Sequence, residues 1–96
     1  MLVFWVEEAL TEADAAAKFY QQRQVGLGKR FLDNLAKAVS GIARHPCLYR
    51  QRECNIRKCK LPHFPYGVFY RIEADTIQII AVMHLRQEPG YWKHRI

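Results

Sequence analysis

The stretch His63–Met83, HFPYGVFYRIEADTIQIIAVM, limits most severely what this chain can fold into. It holds two runs of alternating β-branched and aromatic residues, separated by a polar break at Ala74-Asp75. Tyr66, Val68, Tyr70 and Ile72 share one face of the first run. Ile77, Ile79, Ala81 and Met83 share one face of the second. A two-residue period of this strength marks half-buried strands, and the break is short enough for a hairpin. Glu73, Asp75 and Thr76 supply polar turn chemistry, without the Asn-Gly or Asp-Gly pair that would specify the turn type. The rest of the chain has to cover one face of this hairpin and use its ends.

Upstream, Leu2-Val3-Phe4-Trp5-Val6 reads as a first strand. Thr11 is an N-cap residue type, and Glu12 and Asp14 put negative charge where a first helical turn favours it, so a helix is expected from Thr11. Ala13, Ala16, Ala17 and Tyr20 fall at helical spacing and give it a narrow, small-residue face. Gly26 and Gly28 break the chain, and a second helix is expected from about Gly28 to Arg44, with Phe31, Leu35, Ala38, Val39 and Ile42 as its buried stripe. His45-Pro46 ends it, because proline disfavours helical backbone in the residue before it. Two helices so closely joined form an antiparallel hairpin. Tyr49–Lys60 reads as a polar, basic strand anchored by Ile56, and Leu61–Pro65 as a connector carrying two prolines. The expected fold is α+β: an N-terminal strand, an antiparallel helical hairpin, then a three-stranded antiparallel sheet. The helices cover one sheet face; the other face and the tail are left for a partner.

With 96 residues, half of them hydrophobic, the chain suits one domain over residues 1–96. No apolar run approaches a membrane span, so no membrane partner is expected. The apolar start is six residues long and runs into Glu7-Glu8 without a basic n-region or cleavage site, which argues for a cytoplasmic protein. Cys47, Cys54 and Cys59 are an odd number without zinc-ligand spacing, and are read as free thiols. The carboxylates are scattered and Gly26-x-Gly28 is only a helix break, so neither a metal nor another cofactor is expected.

Charge is unevenly placed within the net +6. Residues 1–48 carry six basic and five acidic side chains, whereas residues 49–96 carry nine and four. Arg50, Arg52, Arg57, Lys58 and Lys60, with Arg86, Lys93 and Arg95 in the tail, make the excess. Such a face attracts a polyanion or an acidic protein segment, or guards a solvated strand edge against aggregation. The tail His84–Ile96 adds two imidazoles, a tyrosine and a tryptophan. Tyrosine and tryptophan beside arginine anchor protein interfaces, and Arg86, Tyr91, Trp92 and His94 are the candidate contact residues. Trp92 has a second reading, as a side chain closing a small core. Metal-free RNA cleavage would need an acid–base group and phosphate-holding cations; His63, His84 and His94 are candidates for the first, and Arg57, Lys58, Lys60 and Arg86 for the second.

The run Phe64-Pro65-Tyr66-Gly67-Val68-Phe69-Tyr70-Arg71, leading through Ile79–Met83 into His84-Leu85-Arg86-Gln87-Glu88-Pro89 and Trp92, resembles the RelE/ParE superfamily of bacterial toxins. Arg44-His45-Pro46 at the end of the second helix is also similar. These toxins belong to type II toxin–antitoxin systems and are often labelled plasmid-stabilisation proteins. The resemblance implies a growth-arresting toxin neutralised by a cognate antitoxin whose C-terminal segment wraps the helical hairpin and sheet, with DNA reached only through the antitoxin. RelE-like members cleave mRNA on the ribosome; ParE-like members poison DNA gyrase. RelE-like chains commonly carry a phosphate-binding arginine where this chain has Gly67, which cannot hold phosphate by charge. The ending His84-Leu85-Arg86 to Trp92 is the more ParE-like. The implied function is gyrase inhibition by protein contact without catalytic residues. The alternatives are a ribosome-dependent RNA endonuclease using His84, Arg86, Arg57 and Lys60, or an inactive homologue serving as corepressor.

Overall fold

A computed structural model describes residues 1–49, 55–87 and 91–95. Strand β1 (Leu2–Trp5) leads into helices α1 (Glu7–Arg23) and α2 (Leu27–Arg44). Strands β2 (Ile56–Lys60), β3 (Tyr66–Glu73) and β4 (Thr76–His84) follow, and a C-terminal 3-10 helix spans Tyr91–Arg95. The chain is thus α+β, with the expected order of elements. The expected strand over Tyr49–Lys60 is realised from Ile56 onward; its segment 50–54 lies outside the described residues.

The four strands form one sheet in the order β1-β4-β3-β2. β2, β3 and β4 are antiparallel neighbours, and β1 joins β4 in parallel, with Leu2 opposite Thr76 and Trp5 opposite Ile79. The predicted three-stranded sheet therefore gains a fourth strand from the far end of the chain. The β3–β4 turn places Ala74 at φ 54°, a left-handed backbone that costs an L-residue roughly 1–2 kcal/mol. The Thr76 hydroxyl donates to the carbonyl of Glu73 at 2.8 Å and closes that turn.

Helix α1 begins four residues before Thr11. The Val6 N–H donates to the Ile79 carbonyl at 3.0 Å, while the Val6 carbonyl accepts from Ala9 N–H at 3.1 Å and Leu10 N–H at 3.3 Å. The strand passes straight into the helix, and Glu7 and Glu8 occupy the dipole-favoured first turn without a side-chain cap. Its buried face is Ala9, Ala13, Ala16 and Ala17, so the small-residue stripe extends one turn earlier than expected. Gly28 shows why the stripe is small: a Cβ there would lie 2.6 Å from the Ala17 carbonyl oxygen. Gly26, at φ 89°, supplies the left-handed N-cap of α2. The Gln21 side-chain oxygen accepts from the N–H of Gly26 at 3.0 Å and of Gly28 at 3.2 Å, fixing the interhelical loop.

The helices cover one sheet face through Phe31, Leu35, Ile42, Val68, Tyr70, Ile77, Ile79 and Val82. A register irregularity between Phe69 and Tyr70 skips Ile80 on β4. As a result Ile77, Ile79 and Val82 point to the helices, while Ile80, Ala81 and Met83 join the opposite face. The expected grouping of Ala81 and Met83 with Ile77 and Ile79 is thereby corrected, since one extra residue inverts the alternation beyond it. Nor is the second face left bare: Ile56, Phe69, Ile80, Ala81, Met83 and Trp92 form a buried cluster with Val6 against it.

Candidate functional site

His84 closes β4 opposite Tyr66, on the helix side of the sheet, and the two rings meet edge to face at 5.3 Å between centroids. It ends an aromatic chain in which Tyr66 meets Phe31 edge to face at 5.1 Å and Phe31 meets Phe64 likewise at 5.2 Å. A turn over His84–Gln87 holds the imidazole. Arg86 N–H donates to His84 Nδ1 at 3.0 Å, and His84 N–H donates to the Gln87 side-chain oxygen at 3.0 Å. With Nδ1 accepting, the neutral ring carries its proton on Nε2. His84 lines an open groove of about 340 Å³ together with Glu12, Ala15, Phe19, Tyr66, Val82 and Gln87, among others. Burial raises the Tyr66 phenol above its ordinary value. Arg86 itself is exposed.

The remaining cations of the candidate nuclease set are elsewhere. Arg57 lies opposite Tyr70, and so on the helix side, but its guanidinium is committed to structure. Nη1 donates to the Tyr49 carbonyl at 2.7 Å and approaches the Cys47 carbonyl at 3.5 Å. Tyr70 completes this tether by donating its hydroxyl to the Pro46 carbonyl at 2.7 Å. Burial pushes the Tyr70 phenol up to about 12, although the Arg57 charge pulls it down. Lys60 is exposed and lies opposite Gly67 on the outer face of the sheet. There Lys58 sits over the Phe69 ring at 5.7 Å, and Arg71 pairs with Gln78 and Glu73 at 2.8 and 3.0 Å. His84 and Lys60 are thus on opposite faces. An in-line RNA cleavage site needs acid–base group and phosphate cations around one bond; of the candidate cations Arg86 adjoins His84, whereas Arg57 is held by backbone carbonyls and Lys60 lies on the other face. Gly67 is itself enclosed: a Cβ would meet Leu85, Lys58 and Phe69 at 3.3–3.4 Å.

In the tail the two readings of Trp92 separate. Its side chain is 3% exposed and packs on Phe69 at 6.0 Å, so it is a core residue of the outer-face cluster. It therefore leaves the set of candidate contact groups, because a side chain already sealed in a cluster presents no surface to a target. Lys93 and His94 are exposed. The contact expectation for the Tyr91 side chain, like the basic run at Arg50 and Arg52 and the residues Glu88, Pro89 and Gly90, falls outside the described residues. Cys47 and Cys59 are free thiols, the first exposed and the second buried, and Cys54 is outside the described residues. Among the described residues, no group of three or more histidine, cysteine or carboxylate side chains is placed to hold a metal ion. No described helix is long and apolar enough to cross a membrane.

Two residues that organise the tail escaped the sequence reading. Arg95, counted only among surface charges, is bidentate to Glu12, with Nη1–Oε1 at 2.9 Å and Nη2–Oε2 at 3.1 Å. By sequence Glu12 is simply a dipole-favoured acidic residue near a helix start. Eighty-three positions separate the pair, so no local pattern could have revealed it.

The model of the ParE toxin family, described as the ParE toxin of the type II toxin–antitoxin system parDE, matches residues 3–89. Among solved structures, a chain from the chromosomal ParDE toxin–antitoxin system of P. aeruginosa superposes with a TM-score of 0.65 at 19% identity, covering 88% of this chain and 95% of that one. The isolated E. coli RelE toxin superposes with a TM-score of 0.63 at 18% identity, covering 98% and 94%. No curated protein sequence matches. The two structures establish the shared fold, and the match across residues 3–89 settles the family: this chain belongs to the ParE toxins of type II toxin–antitoxin systems.

Proposed function

We propose that this toxin arrests growth by protein–protein contact with DNA gyrase, through an exposed surface that includes Arg86 and His94. The observation that carries the proposal is the separation of the nuclease candidates. His84 faces the helix side, Lys60 the outer face, and Arg57 is spent on backbone carbonyls. Gly67, where RelE-like chains carry a cation, adds support. A contact mechanism needs no such convergence; it needs exposed polar and cationic groups on a rigid base, and Arg86 and His94 meet that description. A toxin of a type II system has an antitoxin partner. Exposed Leu10, Phe19 and Leu32 on the helical hairpin support a docking place there for its C-terminal segment, at 52%, 45% and 44% exposure.

The deciding experiment pairs gyrase supercoiling with mRNA cleavage on translating ribosomes, using purified toxin. Inhibited supercoiling with intact mRNA supports the proposal; cleaved mRNA with normal supercoiling replaces it with an endonuclease. Neither effect points to a corepressor, tested by salt-dependent operator binding with and without the toxin. Within the gyrase arm, Arg86→Ala and His94→Ala are each expected to weaken inhibition by roughly tenfold, the loss typical of an interface anchor. His84→Ala is expected to change it less than about threefold, whereas a nuclease using His84 would lose about a hundredfold or more.

A further inference from the structure

Strand β1 ends opposite Ile79, yet β4 continues to His84. The edge of β4 beyond Ile79 thus runs past its strand neighbour, and backbone groups along a covered edge require partners. Three side chains replace the missing strand. Arg95 Nη1 donates to the Ile80 carbonyl at 3.0 Å, Glu12 Oε1 accepts from Val82 N–H at 3.0 Å, and Gln87 Oε1 accepts from His84 N–H at 3.0 Å. Glu12 and Arg95 also grip each other through two prongs, and their side chains are only 19% and 7% exposed. One carboxylate therefore ties together helix α1, the β4 edge and the C-terminal 3-10 helix.

We propose that Glu12 is a positioning residue for the target-facing tail. It holds Arg95 against the β4 edge, which orients the helix so that Trp92 enters the outer-face cluster and Lys93 and His94 face outward. This inference rests on the reading of the tail as a contact surface, and it says how that surface is kept in place. The carboxylate is chemically specific to the task. It only accepts, and its two oxygens serve the guanidinium fork while one also takes the Val82 N–H. A glutamine retains an oxygen for Val82, but turns an amide N–H₂ towards the guanidinium and loses one prong. Glu12→Gln thus loosens Arg95 and the tail while keeping an acceptor for the Val82 N–H.

The test uses full-length toxin in a Trp5→Phe background, which leaves Trp92 as the sole tryptophan of the two in the chain. Glu12→Gln is expected to red-shift Trp92 emission and to speed amide exchange over Lys93–Arg95 by roughly tenfold or more. Gyrase inhibition is expected to fall by about tenfold or more, with antitoxin affinity changed less than about threefold. Arg95→Lys, which keeps the charge but not the fork, is expected to give an intermediate value on each readout, and it carries the test should Glu12→Gln fail to fold. Buried Trp92 emission and protected tail amides in either folded variant would overturn the proposal. So would equal losses of antitoxin binding and gyrase inhibition, which mark a merely structural role. If the wild-type toxin leaves gyrase untouched, the gyrase reading fails by itself, and Trp92 emission and exchange still decide whether Glu12 holds the tail.

Discussion

The two faces of the sheet are built in different ways. The helix-side core joins residues whose neighbours in the sequence share their fate: the alanine stripe of α1, the Phe31–Ile42 stripe of α2, and the alternation of Val68 and Tyr70. The outer-face cluster is smaller and depends on particulars. It needs the irregularity at Ile80 to turn Ala81 and Met83 outward, a tryptophan delivered by the C-terminal helix, and an ion pair to keep that helix in place. The first face illustrates redundancy, since many apolar contacts share the load. The second illustrates dependence, because few groups hold it and each holds several others. The exposed tail groups of the functional proposal sit on the dependent side.

The largest expected effect is on the redundant face. Phe31→Ala removes a fully buried ring at the centre of the aromatic array and is expected to cost about 3–5 kcal/mol of global stability, measured by denaturant melting. Trp92→Ala belongs to the same range in side-chain size, but its expected signature differs: amide protection is lost over the tail and β4 edge well before the helices. Equal exchange patterns for the two variants would erase the distinction between the faces. It follows that removing Tyr91–Ile96 outright is a poor functional probe, because it discards Trp92 and Arg95 together with the exposed groups.

A smaller effect tests the helix side alone. Tyr70 is neutral and buried in the fold, with its phenol raised to about 12 from 10.0. A raised folded value means that the stabilisation is fully present below pH 10 and is lost as pH climbs through 12. Stability is expected to drop by about 2 kcal/mol over that interval. Tyr70→Phe is expected to flatten this alkaline limb, and to cost about 1–2 kcal/mol at neutral pH by leaving the Pro46 carbonyl without its donor. The smallest effect is a control common to both faces. Ala74→Gly relieves the left-handed turn and is expected to raise stability by roughly 0.5–1 kcal/mol, read as a shifted melting midpoint with unchanged exchange order.

What the sequence made legible follows the same division. The hairpin, the helix stripes and the element order were readable because each rests on a short-range period. The start of α1 was misplaced because Thr11 resembles a cap, whereas Val6 shares its backbone groups between strand and helix and leaves no side-chain mark. The facing of Ala81 and Met83 was inverted because one skipped residue is invisible to an alternation count. The candidate nuclease set looked adequate as an inventory, but pairing placed Lys60 and His84 on opposite sides of one sheet. Glu12 and Arg95 left no trace, since the partnership exists only after the chain has folded.

The parallel pairing of β1 with β4 has a consequence for the life of the chain before it folds. Leu2 is synthesised more than seventy residues before its partner Thr76. The helical hairpin, with its loop pinned by Gln21, can form on contacts close in sequence, but the sheet waits for distant ones. Arg95 then reaches back to Glu12 only when nearly all of the described chain is available. A chain synthesised only as far as α2 therefore holds helices without the sheet or the tail, and a growth-arresting surface of the proposed kind takes shape only after Arg95 has been made.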